Sequence, residues 1–285
     1  MATTGSSSLD QLRRQIDQID DQLHNLIMRR ADVVAAVTNV KEAEGILAYR
    51  PGRAAQILRR IVGTHRGPFP KPALVRLWLE LLGGTVAMQA ELTIAVAEGG
   101  WDLARDHFGT LAPLFSASPD EAVLALAEGR ADIAVLPLPA DDEPEPWWLK
   151  LAESDETRPS VILRLPFGSL GNADPACPDA FVLASFEPEP SGDDCTLLAV
   201  LADEGLQPAA LTEALLRQNL HSNLVADLER AAGAGYCVEV DSALAADDRR
   251  LAQALKPLGA GVRAVWLGLY ARPLPDAVLG GIAPE

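Results

Sequence analysis

The sequence predicts an all-helical N-terminal module, followed by α/β structure and then an α+β unit. Three observations carry this. Apolar residues recur at a helical period from Leu9 to the neighbourhood of Leu92, short strand-like runs alternate with helices beyond it, and the C-terminal third reads strand, helix, strand, strand, helix, strand.

The first helix follows from Leu9, Leu12, Ile16, Ile19, Leu23, Leu26, Arg30, Val33, Val37 and Val40, a 3-4 spacing that runs from Ser8 to about Ala43. At 1.5 Å per residue it spans on the order of 50 Å, more than a small domain needs and a length that a partner chain would cover. Arg30 stands on this apolar stripe, where a guanidinium is costly unless an anion meets it. Lys41, eleven residues on, returns to nearly the same face, and Arg13 lies a quarter turn away and far along the axis. An acid in the core, or a side chain that snorkels to solvent, would also satisfy Arg30.

Pro51 opens a second helix in which Arg53 aligns with Ile57 and Ile61, which points a second arginine toward the apolar face. After a break at Gly67 to Pro72, a third helix is expected to carry Trp78, Leu81, Leu82, Thr85, Gln89 and Leu92 on one face. Thr85 and Gln89 are polar where that pattern asks for apolar residues. Several cations, a hydroxyl and a neutral amide converging in a helical module suggest a pocket for a small ligand with more than one carboxylate.

From Leu92 the texture changes. LTIAVAE reads as a strand, Trp101 to Gly109 and Pro119 to Gly129 as helices, and ADIAVLPLP as a strand. Between Pro139 and Phe181 the sequence predicts an acidic, proline-rich connector, one strand (SVILRLPF) and a loop, GSLGNADPACPDA. Near Gly192 a third unit begins with CTLLAVLA as a strand, QPAALTEALLRQ as a helix and SNLVADLER and GYCVEVD as two strands. DDRRLAQALKPLG as a helix and VRAVWLGLYARP as a last strand complete a βαββαβ, ferredoxin-like order.

Composition narrows the function classes. The chain has 285 residues and a formal charge of −16, which argues against nucleic acid or an anionic membrane as partner. Yet 12 of its 24 lysines and arginines, and only 9 of its 40 acids, precede residue 95, a net of +3 there against −19 for the rest. That bias favours a focused positive pocket. Cys177, Cys195 and Cys237 are scattered, odd in number and without metal spacing, as expected of thiols in a reducing, cytoplasmic compartment. The start MATTGSSSLD has neither the charge nor the apolar core of a signal peptide, and no run reaches the length of a membrane span. No metal-ligand spacing or phosphate loop is present, and His24, His65, His107 and His221 fall in unrelated segments.

LRRQIDQIDDQLHNLIMRR at Leu12 to Arg30, Lys41, AYRPGRAAQILRR at Ala48 to Arg60 and LWLELLGGTVAMQ at Leu77 to Gln89 together resemble the all-helical class of chorismate mutase, in the form fused to prephenate dehydratase in bifunctional P-proteins. The resemblance implies an intertwined homodimer in which each site borrows Arg13 from its partner. It also implies a cofactor-free, metal-free rearrangement of chorismate to prephenate, in which Arg13 and Arg30 bind carboxylates and Lys41 and Gln89 donate to the ether oxygen. Arg53 and Thr85 would complete the polar wall, and Arg50, at a position where some relatives place a ligand-contacting acid, is counted with them among the substrate-binding residues. The family's glutamate after the arginine of the second helix is replaced by Ala54, which predicts a weakened site. A noncatalytic chorismate-binding or regulatory subunit is the alternative.

The segment after the mutase resembles the first part of a prephenate dehydratase domain, through Phe108-Gly109 and a strand ending Val-x-Pro. Where that family has a Thr-Arg-Phe tripeptide this chain reads Asp179, Ala180, Phe181, so dehydratase activity is expected to be lost. The βαββαβ unit resembles the ACT regulatory domain, with both phenylalanine-binding motifs altered: Ala209, Ala210, Leu211, Thr212 and Glu229, Arg230, Ala231, Ala232. The expected division is therefore 1–91 mutase, 92–190 truncated dehydratase-like segment and 191–285 ACT-like domain.

Overall fold

A computed structural model describes residues 4–44, 47–141, 143, 145–154, 158–168, 179–203, 205–230 and 233–280, without the side chains of 4–7, 39–44 and 230. The described chain divides into two compact units, residues 1–49 with 88–90 and residues 50–87 with 91–285.

The first unit is built on one helix, α1 (Thr4–Glu44), as the apolar period predicts. Its 41 residues make it about 60 Å long. The stripe formed by Leu9, Leu12, Ile16, Ile19, Leu23 and Leu26 is 49–58 % exposed. A row of six large aliphatic side chains is thus left about half in water.

The second unit is organised on a nine-stranded sheet. Its elements in chain order are α2 (Pro51–Thr64), α3 (Lys71–Ala87), β1 (Ile94–Ala97), α4 (Trp101–Phe108), β2 (Leu114–Ala117), α5 (Pro119–Ala127), β3 (Ile133–Pro137), α6 (Trp147–Glu153), β4 (Ser160–Leu165) and β5 (Ala180–Ala184). They continue with β6 (Asp194–Ala202), α7 (Pro208–Leu216), β7 (Ser222–Arg230), β8 (Gly233–Val240), α8 (Arg249–Leu255), β9 (Val262–Ala271) and α9 (Asp276–Leu279). The strand order is β2-β1-β3-β5-β4-β9-β6-β8-β7.

The last four strands follow the expected βαββαβ order, and β9-β6-β8-β7 is antiparallel throughout. All nine residues of β6 are buried, and its apolar run from Leu197 to Ala202 is that of a strand covered on both faces. Leu211, Leu215, Leu251 and Leu255 of α7 and α8 cover one face over Leu198, Val200 and Val238. On the other face α5 and α6 bring Ala122, Leu126, Trp147 and Trp148 onto Ala134, Phe181, Leu197 and Tyr270.

The sheet runs without a break across residue 190, because β4 pairs in parallel with β9 at Val161 and Gly268. Only glycine fits there, since a Cβ on residue 268 would overlap the Val161 main chain.

Besides β2 and α9, which the sequence expectation lacks, three elements depart from it. The connector between Pro139 and Phe181 contains α6, a seven-residue helix whose Trp147 and Trp148 are wholly buried; it is too short to show a helical period. The loop expected to end at Ala180 gives way to β5, five buried residues in which Phe181 packs against Trp147 and Tyr270 at 6.2 and 5.4 Å between ring centroids. The third helix ends at Ala87, so Gln89 and Leu92 do not extend its face; the chain has to leave the helical path to enter β1 at Ile94.

Candidate active site

The first unit carries Arg13, Arg30, Lys41 and Gln89. Arg13 is exposed and 3.5 Å from Asp10, one helical turn back. Arg30 is half-buried, and that desolvation draws its guanidinium below the usual arginine range. The backbone of Lys41 belongs to α1, and its side chain lies outside the described residues. Gln89 sits half-buried in the turn that follows α3.

Arg50, Arg53 and Thr85 belong to the second unit. Pro51 starts α2 with its φ already helical, and the residues that α2 buries are Pro51, Gly52, Ala55, Leu58 and Val62. This corrects the expected face: Arg53 is exposed, and Ile57 and Ile61 beside it are only half-buried. The reason is a competing surface. α2 buries Ala55, Leu58 and Val62 and lies against α3 and β9, which turns the Arg53 side outward.

Arg53 donates from Nη1 to Gln56 Oε1 at 3.2 Å, and among the described residues it makes no ion pair. Arg50 is committed elsewhere, with Nε and Nη2 at 2.9 and 2.7 Å from Glu189 Oε2. The Thr85 hydroxyl donates to the Leu81 carbonyl at 2.7 Å, one turn back in α3. Ala54 is half-buried beside Arg53.

Sequence reasoning did not single out the segment 189–194 or the residues of α2 that grip it. Arg59 donates to Ser191 Oγ at 2.8 Å, to the Asp193 carbonyl at 2.6 Å and to the Arg272 carbonyl at 2.9 Å. A Cβ on Gly52 would stand 2.5 Å from the Glu189 carbonyl oxygen, so the first turn of α2 approaches this segment as closely as a helix can. The one sequence signal was the run Ser191-Gly192-Asp193-Asp194, a composition that favours side-chain-capped turns.

A second polar network crosses the sheet. Arg164 reaches Glu239 at 2.9 Å and lies 3.9 Å from Asp179, Tyr270 donates to Glu239, and Arg272 reaches Asp241 at 3.0 Å. Burial and the neighbouring acids push the Cys195 thiol up to about 12, so it stays protonated. Cys195, Glu239 and Asp241 offer donor atoms within 4.8 Å of one another, with both carboxylates already engaged by arginine. Among the described residues no helix is long and apolar enough to cross a membrane.

A family model described as chorismate mutase type II matches residues 12–90. Residues 12–90 form a chorismate mutase type II domain. The chain is 32 % identical over 142 residues to the bifunctional chorismate mutase/prephenate dehydratase of Pseudomonas aeruginosa, covering 46 % of this chain and 38 % of that one. It is 30 % identical over 142 residues to the protein of the same name from Neisseria gonorrhoeae, covering 47 % and 39 %. It thus spans under half the length of these curated relatives. Among solved structures, similarity extends to prephenate dehydratase from Streptococcus mutans (TM-score 0.41, 17 % identity, 63 % of this chain and 97 % of that one). The prephenate dehydratase of Arthrobacter aurescens in complex with L-Phe is similar at TM-score 0.42 and 14 % identity over 66 % and 96 %.

The mutase domain thus includes α2 and α3, which belong to the same compact unit as the sheet, and α1, which belongs to the other. Within it lie the guanidinium groups of Arg13, Arg30 and Arg53, the ammonium of Lys41, the hydroxyl of Thr85 and the carboxamide of Gln89.

Proposed function

We propose that this chain is a chorismate mutase that converts chorismate to prephenate, acting as a homodimer in aromatic amino-acid biosynthesis. The observation that carries the reading is the order and spacing of Arg13, Arg30, Lys41, Arg53, Thr85 and Gln89 within a domain of that family. The substrate is a dianion, and the reaction is a pericyclic rearrangement that asks for no acid, base, nucleophile or cofactor. Catalysis then consists of holding the compact conformer and stabilising charge on the ether oxygen as the carbon–oxygen bond breaks.

In this reading Arg30 and a partner's Arg13 bind the carboxylates, Arg53 and Thr85 shape the polar wall, and Lys41 and Gln89 donate to the ether oxygen. The exposed stripe of α1 supports the dimer, because six aliphatic side chains about half in water call for an apolar partner. Arg50 takes no part, consistent with its commitment to Glu189. The dehydratase-like segment 92–190 lacks its tripeptide, Phe181 being a core residue, and with the ACT-like segment 191–285 it serves as scaffold. The reaction is placed in the cytoplasm.

Ala54 favours a second reading, a noncatalytic chorismate-binding or regulatory subunit. Loss of an acceptor for a buried hydroxyl costs about 1–3 kcal/mol, or roughly ten- to a hundredfold in rate, which weakens a mutase without abolishing it. The two readings separate in one assay that follows chorismate loss by absorbance while quantifying prephenate and phenylpyruvate. Prephenate alone, reduced about a hundredfold in Gln89→Ala with the dimer intact, supports the mutase. Binding without turnover supports the subunit, and phenylpyruvate restores the dehydratase.

A further inference from the structure

We propose that Gln56, held by the turn 189–194 of the sheet body, is a positioning residue for the Arg53 guanidinium. What Arg53 then binds rests on the mutase reading; that Gln56 holds it does not. Arginine has a long, freely rotating stem, and a guanidinium that must line a ligand pocket in one orientation gains from being fixed beforehand.

Gln56 lies one turn after Arg53 on α2 and accepts from its Nη1 at 3.2 Å, while its own Nε2 donates to the Ser191 carbonyl at 3.4 Å. The two contacts set the amide's orientation. Reversed, its NH2 group would face the guanidinium and its oxygen would face the carbonyl, two like-dipole contacts in place of two hydrogen bonds.

The carbonyl that Gln56 uses is itself fixed. The backbone N–H groups of Ser191 and Gly192 both donate to the Asp194 carboxylate, at 2.9 and 3.0 Å, and Ser191 Oγ donates to the same group. Ser191 and Asp194 are buried, and Asp194 opens β6 in register with Ala271 of β9. The turn is therefore an extension of the sheet.

Two clamps keep α2 against this turn on either side of Arg53. Arg50 pairs with Glu189 three residues before it, and Arg59 donates to Ser191, Asp193 and Arg272 six residues after it. With the helix axis held at both ends, Gln56 is left to fix the one freedom that the axis does not, the rotation of the Arg53 side chain.

The test uses the full chain. Gln56 is exposed, so Gln56→Ala is expected to leave the melting temperature unchanged while KM for chorismate rises about three- to tenfold and kcat changes by less than about twofold, the split expected when a ground-state binding group loses its orientation. In parallel, the Arg53 Nε–H signal in 15N-labelled protein, assigned by its disappearance in Arg53→Lys, should be restricted in the wild type and averaged in Gln56→Ala. Arg59→Gln, which loosens the clamp without touching Arg53, should move the same signal in the same direction. An unchanged KM, or an Arg53 signal averaged equally in wild type and Gln56→Ala, overturns the proposal. A wild type that never turns chorismate over defeats the mutase reading instead, and the Nε signal still decides whether Gln56 holds Arg53.

Discussion

α1 and α2 begin from the same sequence pattern, an amphipathic helix with an arginine where the stripe asks for an aliphatic residue, and they resolve it differently. In α1 the stripe from Leu9 to Leu26 stays about half exposed. In α2 the register rotates so that Ala55, Leu58 and Val62 are buried, Arg50 and Arg59 are bound to the segment 189–194, and Arg53 is left outward. A stripe interrupted by a cation is thus ambiguous until its apolar partner is known: α2 buries its apolar side within its own unit, whereas the stripe of α1 is left about half exposed.

The sharpest way to break this contrast is Leu23→Asp in α1. A carboxylate in the middle of the stripe should convert the dimer to a monomer in sedimentation and abolish chorismate turnover, because Arg13 is no longer supplied across the interface. A variant that remains dimeric would show that the exposed stripe is not the contact.

Leu58→Ala probes the other side. Leu58 is 1 % exposed, and its truncation should cost about 2–5 kcal/mol in denaturant unfolding, with the dimer intact. A cost near zero would mean that α2 is not docked on the sheet body by its buried face.

The smallest effect is expected from Arg50→Ala. Its ion pair with Glu189 joins side chains that are 35 % and 46 % exposed, so its loss should cost less than about 1 kcal/mol, and less still at high salt. Chorismate affinity should hold within about twofold; a tenfold fall would return Arg50 to the ligand site.

Long, regular elements were legible in advance. The repeat from Leu9 to Val40 specified α1, and the alternation of apolar runs with helical spacings after Gly192 specified β6, α7, β7, β8, α8 and β9 in their order. Short elements were not. α6 has seven residues, two of them tryptophan, and its helical state depends on burying both indoles against the sheet. β5 reads Ala180-Phe-Val-Leu-Ala, a run equally compatible with loop, helix or strand until β3 and β4 flank it.

The candidate site was legible as a set of residue types and spacings, since arginines on apolar stripes are improbable without a use. The support behind it was not. Gln56 and Arg59 are unremarkable polar positions on an amphipathic helix, and Ser191 lies 135 residues from Gln56, so no local pattern links them. Gln89 was displaced from its expected face for a similar reason, because where α3 stops is decided by the path into β1 and not by its own propensity.

By itself, then, the sequence determined the helical period of α1, the βαββαβ order, the local excess of positive charge before residue 95 and the identity of the polar residues that interrupt apolar stripes. These follow from interactions between residues a few positions apart. Only the tertiary structure decided which face of α2 is buried, that one sheet runs through β4 and β9, and that Arg50 and Arg59 hold α2 to a turn more than a hundred residues away. Each of these depends on which surfaces exclude water together, a property of chain segments brought into contact across long separations and carried by neither segment alone.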